Sequence, residues 1–551
     1  MRIKCGTILA VAALAEGIAV AKVPDDPYDY KELTTTASHP VEIRDGLFDF
    51  GRDGIGWLEF HGAKPGVYKV VIGEMTNSAG HVANPFPDST IRCQVLERGV
   101  SGDVYRFTMP SDPWNRIGFD MINTPAIELP RWAQIVFPFR YVEVVRAAGP
   151  ISRENVVRKM LHYPIDMAQS SFSCDNEVLN DVYDFCKYSI LATSFCGVYV
   201  DGDRERTPYE ADAYINQLCQ YAIDADYSLA RKSHEWLMDH PTWPTEWKQH
   251  SIKIAWTDWM WTGDTRSLEK HYGRLRKRLL GNYPKRDIVD WPVSERDGFV
   301  MTNSNSVVDA FNCRNLVEMA DIASVIGKAG DAVEYRRLAQ AAKEKFTADY
   351  FDSRRGVFVD SVEVRHASLH ANAVALAFGL APADAVDGIV AFLERKGMAC
   401  SPYFSQYLLE AFCEAGRCDI AIRLMASSGE RSWKGMMDFG STITMEAWNV
   451  AAKPNLDLNH AWGAVPLNII SRYVLGVRPL EPGFEKTLVC PQAGNLKSLR
   501  GVVPTRKGPV EVEVSGGRLA VAVQTAATVV WHGRSHDVEP GRHIFADTPG
   551  S

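Results

Sequence analysis

The chain has 551 residues, which is too long for one compact core and predicts two to four domains. Its hydrophobic content of 46% is ordinary for a folded globular protein and excludes a largely disordered chain. The net charge of −8 argues against a nucleic-acid-binding protein, because the chain would repel a polyanion.

The N-terminus combines basic residues with an apolar run. Arg2 and Lys4 precede this run, and Ala19-Val20-Ala21 offers a small-x-small cleavage site, so we predict a signal peptide over residues 1–22 and a periplasmic or secreted protein. Glu16 interrupts the apolar run, which leaves a cytoplasmic location as the alternative. No later stretch is apolar for about 18 residues, so the sequence predicts no transmembrane helix.

The eleven cysteines are scattered, and none forms a Cys-x-x-Cys pair with a histidine partner, so a zinc site has no support. Cys186, Cys196, Cys219 and Cys413 lie in apolar helical contexts, which are typical of buried free thiols. The sequence therefore predicts neither a disulfide framework nor a cofactor or metal.

Residues 27–168 have the pattern of an N-terminal β-sandwich. Strand-like runs at 67–73, 91–96, 104–109 and 135–145 are separated by Gly, Pro and Asp. Several runs alternate apolar and polar residues with a period of two, which predicts sheets with one packed face.

At Asp175, a predicted helix N-cap, the hydrophobic period changes to that of helices. Residues 169–476 are predicted to form one helical domain of about twelve helices. These start near residues 175, 212, 227, 246, 266, 306, 331, 370, 386, 402, 417 and 460. Twelve helices paired as six hairpins predict an (α/α)6 toroid, in which the loops at the helix ends surround a central pocket.

Residues 477–551 return to a β pattern and are predicted to form a small C-terminal β-sheet domain. Residues 510–514 and 519–523 alternate apolar and polar side chains around Ser515-Gly-Gly, which predicts a hairpin. The run 528–532 is expected to extend this hairpin.

The acidic segment, residues 200–212, is the strongest candidate for a site. It brings Asp201, Asp203, Glu205 and Asp212 into one loop between helices, beside Arg204 and Arg206. Clustered carboxyl groups raise one another's pKa, and an acid–base site requires such shifts. The alternative is a solvated turn held by salt bridges.

Three other segments place charged or polar groups beside tryptophan: residues 290–297, 442–448 and 459–463. A hydrogen-bonding group next to an apolar wall suits a pyranose, which has a hydroxyl edge and a C–H face. The alternative for each Trp is a place in the core, and for His460 a place at a helix N-terminus. Nucleotide-binding glycine loops and a Gly-x-Ser-x-Gly motif are absent.

These segments resemble the α-L-rhamnosidase family of six-hairpin glycosidases, glycoside hydrolase family 78, over roughly residues 40 to 545. The acidic segment, Asp201-Gly-Asp-Arg-Glu205-Arg-Thr-Pro-Tyr209-Glu-Ala-Asp212, resembles the diagnostic motif of that family. Residues 445–448, Met-Glu-Ala-Trp, resemble its Trp-Glu-x-Trp element. Residues 459–463, Asn-His-Ala-Trp-Gly, resemble its Ser-His-x-Trp-Gly element.

The resemblance implies a β-sandwich, an (α/α)6 catalytic toroid and a C-terminal β domain. It implies an enzyme that removes terminal α-L-rhamnose from oligosaccharides or glycosides with inversion, with Glu205 as general acid and Glu446 as general base. The residues expected to bind the sugar are Asp201, Asp203, Arg204, Tyr209, Asp212, Asp290, Trp291, Trp448, His460 and Trp462. No metal is implied.

The chain also departs from the family pattern. The spacer from Asp201 to Glu205 is short, Tyr209 stands where Trp is usual, and Met445 replaces the Trp that normally precedes the base. Two alternatives therefore stay open. One is an enzyme that acts on a different sugar, such as a uronide bound by Arg296, and the other is a carbohydrate-binding member without hydrolysis.

Overall fold

The computed structural model describes residues 30–546 except for 112–114, 116–123, 134, 244 and 281–288. The predicted signal peptide, residues 1–22, lies outside the described residues. In the described part of the chain, no helix is both long and apolar enough to span a bilayer.

The N-terminal β-sandwich consists of two sheets, in the orders β1-β10-β4-β7 (with β8 also on β4) and β2-β3-β9-β5-β6. Alternate side chains of β5, such as Tyr68, Val70 and Ile72, are fully buried between the sheets, as a period of two requires. The strands are β1 (Thr34–Ser38), β2 (Glu42–Arg44), β3 (Leu47–Asp49), β4 (Ile55–His61), β5 (Gly66–Gly73), β6 (Cys93–Val100), β7 (Val104–Arg106), β8 (Phe137–Pro138), β9 (Tyr141–Arg146) and β10 (Val156–His162).

The helical domain is the six-hairpin (α/α)6 toroid. Its helices are α1 (Glu177–Thr193), α2 (Glu210–Tyr221), α3 (Ser228–Asp239), α4 (Glu246–Thr262), α5 (Arg266–Leu275), α6 (Ser306–Val325), α7 (Ala329–Tyr350), α8 (Leu369–Ala377), α9 (Val386–Lys396), α10 (Ser405–Glu414), α11 (Cys418–Met425), α12 (Trp433–Asp438) and α13 (Pro466–Ile469). Every residue of α2 is buried, so this helix lies in the interior of the toroid.

Eleven of the twelve predicted helix starts agree with the structure to within three residues, but the helix expected near residue 460 starts at Pro466. The period did not reveal the short α12. The first helix is capped by Asn176, whose side chain accepts a hydrogen bond from the Leu179 amide. The prediction of Asp175 as N-cap was wrong, because its carboxylate instead accepts from the Lys497 amide in the C-terminal region.

The C-terminal region forms two sheets, in the orders β11-β16-β17-β18-β21 and β14-β15-β19-β20. Their strands are β11 (Ser171–Cys174), β14 (Val477–Pro479), β15 (Lys486–Val489), β16 (Ser498–Val503), β17 (Val510–Ser515), β18 (Arg518–Val523), β19 (Ala526–Trp531), β20 (Arg534–Val538) and β21 (Gly541–Ala546). A separate two-stranded pair, β12 (Phe351–Asp352) and β13 (Val357–Phe358), follows α7.

The predicted hairpin is β17 and β18, which pair antiparallel. The expectation that the next run extends this hairpin was wrong, because β19 pairs parallel to β15 in the other sheet, and β21 takes the place beside β18. Strand β11 precedes the first helix of the toroid but pairs with β16.

The prediction that Cys413 is a free thiol was also wrong. Cys413 forms a disulfide with Cys418, which joins the end of α10 to the start of α11. Cys186, Cys196 and Cys219 are free and buried, as predicted.

Candidate active site

The acidic segment forms a loop whose backbone closes on itself. The Asp201 amide donates to the Thr207 carbonyl at 3.0 Å, and the Thr207 amide donates back to the Asp201 carboxylate at 2.9 Å. Arg206 adopts a φ of 54°, which is uncommon for a side chain with a Cβ and turns the chain at this point. This closure leads directly into α2.

Arg204 lies at the centre of the carboxyl groups. Its Nη1 is 2.9 Å from Glu205 Oε1, and its Nη2 is 3.3 Å from Glu446 Oε1. Its backbone amide donates to Asp457 Oδ2 at 3.4 Å. Burial disfavours the charged guanidinium, but Asp457, Glu446 and Glu205 outweigh this effect and raise the pKa of Arg204. One guanidinium therefore separates the two carboxyl groups that the sequence assigns to acid and base.

Glu446 is buried and has two cationic neighbours. Lys453 Nζ is 3.0 Å from Glu446 Oε2, and the Asp457 amide donates to the same oxygen at 3.1 Å. Burial alone would raise the pKa of Glu446, but Arg204 and then Lys453 outweigh it and lower that pKa below its usual value. Glu446 is thus held ionised, as a general base must be.

Asp457 completes the group around Arg204. Its main chain pairs with that of Glu446, whose amide donates to the Asp457 carbonyl at 3.1 Å. Burial raises the pKa of Asp457 to about 6, with Arg204 opposing the shift and Glu446 adding to it. Burial also raises the pKa of Asp201 well above its usual range, and Glu205 and Asp457 add to that shift.

Asp212 and His460 form a buried pair. Asp212 lies in the first turn of α2, where the helix dipole favours a carboxylate, and its Oδ1 hydrogen-bonds His460 Nε2 at 2.8 Å. Burial raises the pKa of Asp212, although His460 opposes the shift. Asp212 Oδ2 and His460 Nδ1 are both shielded from solvent and have no hydrogen-bond partner among the described residues.

Tyr209 lies against Glu205. Its hydroxyl donates to Glu205 Oε2 at 2.8 Å, so Arg204 and Tyr209 together fix both oxygens of that carboxyl group. Burial, with Glu205 adding to it, raises the pKa of Tyr209 well above its usual value, so the phenol stays a donor.

Buried aromatic rings form a wall beside these groups. Trp247 packs edge-to-face on Tyr209 at 5.4 Å between ring centroids, and also lies near Tyr403 and Trp462 at 6.0 and 6.1 Å. Trp462 packs on the His460 ring at 4.2 Å and donates its indole N–H to the Glu446 carbonyl. The wall therefore contacts both Glu446 and His460.

Asp203 points away from the other carboxyl groups of the segment. Its two oxygens contact Arg206 at 2.6 Å and Arg92 of the sandwich at 3.2 Å. The Nη2 of Arg206 also donates to the Val136 carbonyl. Asp203 and Arg206 thus belong to the contact between the loop and the sandwich, and not to the group around Arg204.

Three other predicted residues lie outside the group around Arg204. Asp290 is fully buried and accepts from His370, from the Ser401 amide and hydroxyl, and from the Trp291 amide. Trp291 is 38% exposed. Trp448 is in the core, where it packs on Trp433 and donates to the Cys400 carbonyl.

Glu446, Asp457 and His460 have donor atoms within 4.8 Å of one another, a spacing that a metal ion could use. The carboxylates of this set already face Arg204, and Glu446 also faces Lys453. A divalent cation would have to displace or repel these charges. We therefore assign the three residues to the group of charged side chains around Arg204.

Sequence reasoning missed Lys453, Asp457, Trp247 and Tyr403. Lys453 and Asp457 lie between the two motif elements that contain Glu446 and His460, and their nearness in sequence was the available signal. Trp247 lies in the first turn of α4, and Tyr403 lies just before α10. A helical period in the sequence does not show that these two residues are in contact.

Comparison with known proteins shows which family the chain resembles. The profile of the bacterial alpha-L-rhamnosidase six-hairpin glycosidase domain matches residues 167–474. An alpha-L-rhamnosidase of Alteromonas sp. (strain LOR) is 24% identical over an alignment of 438 positions, which covers 68% of this chain and 45% of the relative.

Solved structures share the fold. The alpha-L-rhamnosidase from Dictyoglumus thermophilum superposes with a TM-score of 0.76 at 18% identity, covering 94% of this chain and 64% of that one. The Streptomyces avermitilis alpha-L-rhamnosidase, complexed with L-rhamnose, has a TM-score of 0.75 at 17% identity, covering 94% and 54%. The chain thus spans less than two thirds of the length of these relatives.

The family profile covers more than half of the chain and includes the acidic segment, Glu446 and His460. The fold around these residues is the six-hairpin toroid with its flanking β domains. This chain therefore belongs to the bacterial alpha-L-rhamnosidase six-hairpin glycosidase family.

Proposed function

We propose that the chain is an inverting glycosidase that removes terminal α-L-rhamnose from oligosaccharides or glycosides. Glu205 is the general acid and Glu446 the general base. The observation that carries this proposal is the position of Arg204, which contacts Glu205 through one nitrogen and Glu446 through another. A guanidinium between the two groups supports the wide separation of an inverting pair, about 6.5–9.5 Å, over the about 5–5.5 Å of a retaining pair.

The reaction follows from these positions. Protonated Glu205 donates its proton to the glycosidic oxygen as the bond from that oxygen to the anomeric carbon breaks. Glu446, held ionised by Arg204 and Lys453, accepts a proton from the water that attacks the opposite face of the sugar. The water supplies the new hydroxyl at the anomeric carbon, and the leaving group departs as an alcohol.

The remaining groups support sugar binding. Asp212 and His460 form a buried hydrogen-bonded pair, and their atoms Oδ2 and Nδ1 have no partner among the described residues. We assign this pair to the binding of sugar hydroxyls. The aromatic wall around Trp247 suits the methyl group of a 6-deoxy sugar. Arg296, the candidate for binding the carboxylate of a uronide, donates through Nε to the Asp290 carbonyl and lies outside the group around Arg204. The family match supports rhamnose as the substrate.

The test is release of p-nitrophenol from p-nitrophenyl α-L-rhamnopyranoside by the wild type, Glu205→Gln and Glu446→Gln. We expect the Glu446 variant to lose activity by about 10²–10⁴-fold, the range of general acid–base catalysis. NMR of the first-formed sugar should show the β anomer. Glu235→Gln is the matched control, because the side chains of Glu235 and Glu205 are both 19% exposed, yet Glu235 pairs with Lys270 and His271 and not with Arg204.

Wild-type-like turnover in Glu446→Gln would overturn the assignment of the base. Activity on a different p-nitrophenyl glycoside alone would replace rhamnose by that sugar. Binding of L-rhamnose without turnover of any glycoside would identify the non-hydrolytic alternative.

We also propose that the chain is exported. The disulfide between Cys413 and Cys418 supports an oxidising compartment. Fractionation of cells expressing the full chain, compared with a chain that starts at residue 23, tests this proposal. Recovery of both proteins from the cytoplasm would contradict it.

A further inference from the structure

Two residues of the N-terminal sandwich reach the acidic segment. Glu74 follows β5 and Arg92 precedes β6, and their backbones are joined by a hydrogen bond from the Glu74 amide to the Arg92 carbonyl. The Arg92 amide in turn donates to Glu74 Oε2 at 2.6 Å. The two side chains therefore have fixed positions at this end of the sheet.

A single amide side chain connects the sandwich to two parts of the active site. Asn459 donates through Nδ2 to Glu74 Oε1 at 2.9 Å and accepts through Oδ1 from the Asp203 amide at 2.8 Å. Asn459 directly precedes His460, and Asp203 directly precedes Arg204. The position of Glu74 is thus transmitted to both segments by one buried residue.

The Asp203 side chain makes a second connection. Its carboxylate contacts Arg92 Nε at 3.2 Å and Arg206 Nη2 at 2.6 Å, so a buried anion is neutralised by one cation from each domain. Asn115, also from the sandwich region, donates to the carbonyls of Asp203 and Arg204 at 2.7 and 2.8 Å. The side chain of Asp203 and the backbone of Asp203 and Arg204 are therefore both held in place immediately before Glu205.

We infer that the N-terminal sandwich is a working part of the active site, in which Glu74, Arg92, Asn115 and Asn459 set the position of Glu205. These four residues and Asp203 form the interdomain network. They are positioning residues, because they hold the backbone that carries Arg204 and Glu205. A displacement of about 1 Å in such a group costs up to about 10²-fold in rate.

The inference rests on the proposed role of Glu205, and it predicts a specific signature. A misplaced general acid slows substrates whose leaving group needs a proton, such as methyl α-L-rhamnoside. It affects p-nitrophenyl α-L-rhamnoside less, because p-nitrophenolate leaves without full protonation. An enzyme that has merely lost stability slows both substrates equally.

The experiment measures kcat and KM on both substrates for Arg92→Met, Arg92→Lys and Asn115→Ala. We expect kcat of Arg92→Met on the methyl glycoside to fall about 10-fold more than kcat on the nitrophenyl glycoside, with KM little changed. Arg92→Lys keeps the charge and should recover part of the loss. Asn115→Ala should show a smaller difference of the same sign between its kcat losses on the two substrates. This variant tests the inference if Arg92→Met does not fold.

Arg140→Met is the matched control, because it breaks a half-buried ion pair with Asp49 inside the same sandwich. Equal losses on both substrates in the Arg92 and Asn115 variants, or the same discrimination in Arg140→Met, would overturn the inference. Glu205→Gln distinguishes a failure of the acid assignment from a failure of the proposed role of the sandwich. If it shows no discrimination, the acid assignment fails. If it discriminates but Arg92→Met and Asn115→Ala do not, only the role of the sandwich fails.

Discussion

The ammonium of Lys453 lies 3.0 Å from Glu446 Oε2, while Arg204 contacts the other oxygen of the same carboxylate. Lys453 is itself 4% exposed and is held by the Asn455 side chain and carbonyl. A buried carboxylate between two cations stays ionised, and its ionisation depends on both.

Lys453→Met should move the acidic limb of the kcat/KM profile to higher pH. Arg204 and Lys453 lower the pKa of Glu446 against the effect of burial, and removal of one cation lets that pKa rise. The base must be ionised, so activity is then lost at a higher pH as the solution is acidified. Asp457, Asp212 and His460 also face Glu446 and remain unchanged in the variant.

The measurement is the pH dependence of kcat/KM on the nitrophenyl rhamnoside. Lys453→Arg should keep the wild-type limb. Lys187→Met, which removes a half-buried lysine bonded to the Ser170 carbonyl, should leave the limb unchanged. An unmoved limb in Lys453→Met would mean that Arg204 alone keeps Glu446 ionised.

Tyr209→Phe should lower kcat about tenfold with a small change in KM. The phenol donates to Glu205 Oε2 at 2.8 Å, and a hydrogen bond between uncharged groups contributes about 0.5–1.5 kcal/mol. Tyr68→Phe, which removes a buried hydroxyl bonded to the Lys64 carbonyl in the sandwich, is the control for stability. Retention of full kcat in Tyr209→Phe would show that Arg204 is sufficient to orient the acid.

Gly202→Ala should reduce activity by about 10–100-fold. A Cβ at this position would lie 2.7 Å from Asp457 Oδ2 and 2.9 Å from the Asn459 carbonyl, so the acidic segment must move away from both. Gly388→Ala is the matched control, because a Cβ in that helix meets open space and should stabilise the protein by about 0.4–1 kcal/mol. Unchanged kinetics in Gly202→Ala would mean that the segment tolerates this shift.

Arg231→Met should destabilise the fold by about 3–5 kcal/mol without a direct effect on the site. Arg231 is 1% exposed and pairs with Asp258 at 2.9 Å and Asp264 at 2.7 Å, so its removal leaves two buried carboxylates without this cation. Urea denaturation measures the loss. Arg337→Met, which breaks an exposed pair with Glu334, should not change the midpoint measurably. A small change in Arg231→Met would mean that the aspartates become protonated at little cost.

Much of the fold could be predicted because the relevant signals are local. The change from a period of two to a helical period marks the toroid, and the Ser515-Gly-Gly turn marks the β17–β18 hairpin. The partner of β19 could not be predicted, because alternation reveals a strand but not which strand it joins. The disulfide of Cys413 was missed because an apolar helical context does not show that the chain turns back within five residues.

The candidate site was predictable where one segment carries it, as with Arg204, Glu205 and Asp212. Tryptophans were harder to assign, because the same side chain serves a pocket or a core. Trp448 and Trp462 both lie in motif-like segments, yet Trp448 packs on Trp433, while Trp462 contacts His460. Arg92 and Glu74 were not foreseeable, since they come from a different domain and contact the loop only in the folded chain.

Strand β11 has a consequence for the order in which the protein folds. Ser171 pairs with Val502, although β11 leads directly into the first helix of the toroid. During synthesis β11 therefore emerges long before β16. Its backbone N–H and C=O groups have no partner strand until the C-terminal sheet forms. Such non-local pairing slows folding and exposes intermediates to aggregation. A chain truncated before β16 should consequently accumulate in inclusion bodies, even though every helix of the toroid is present.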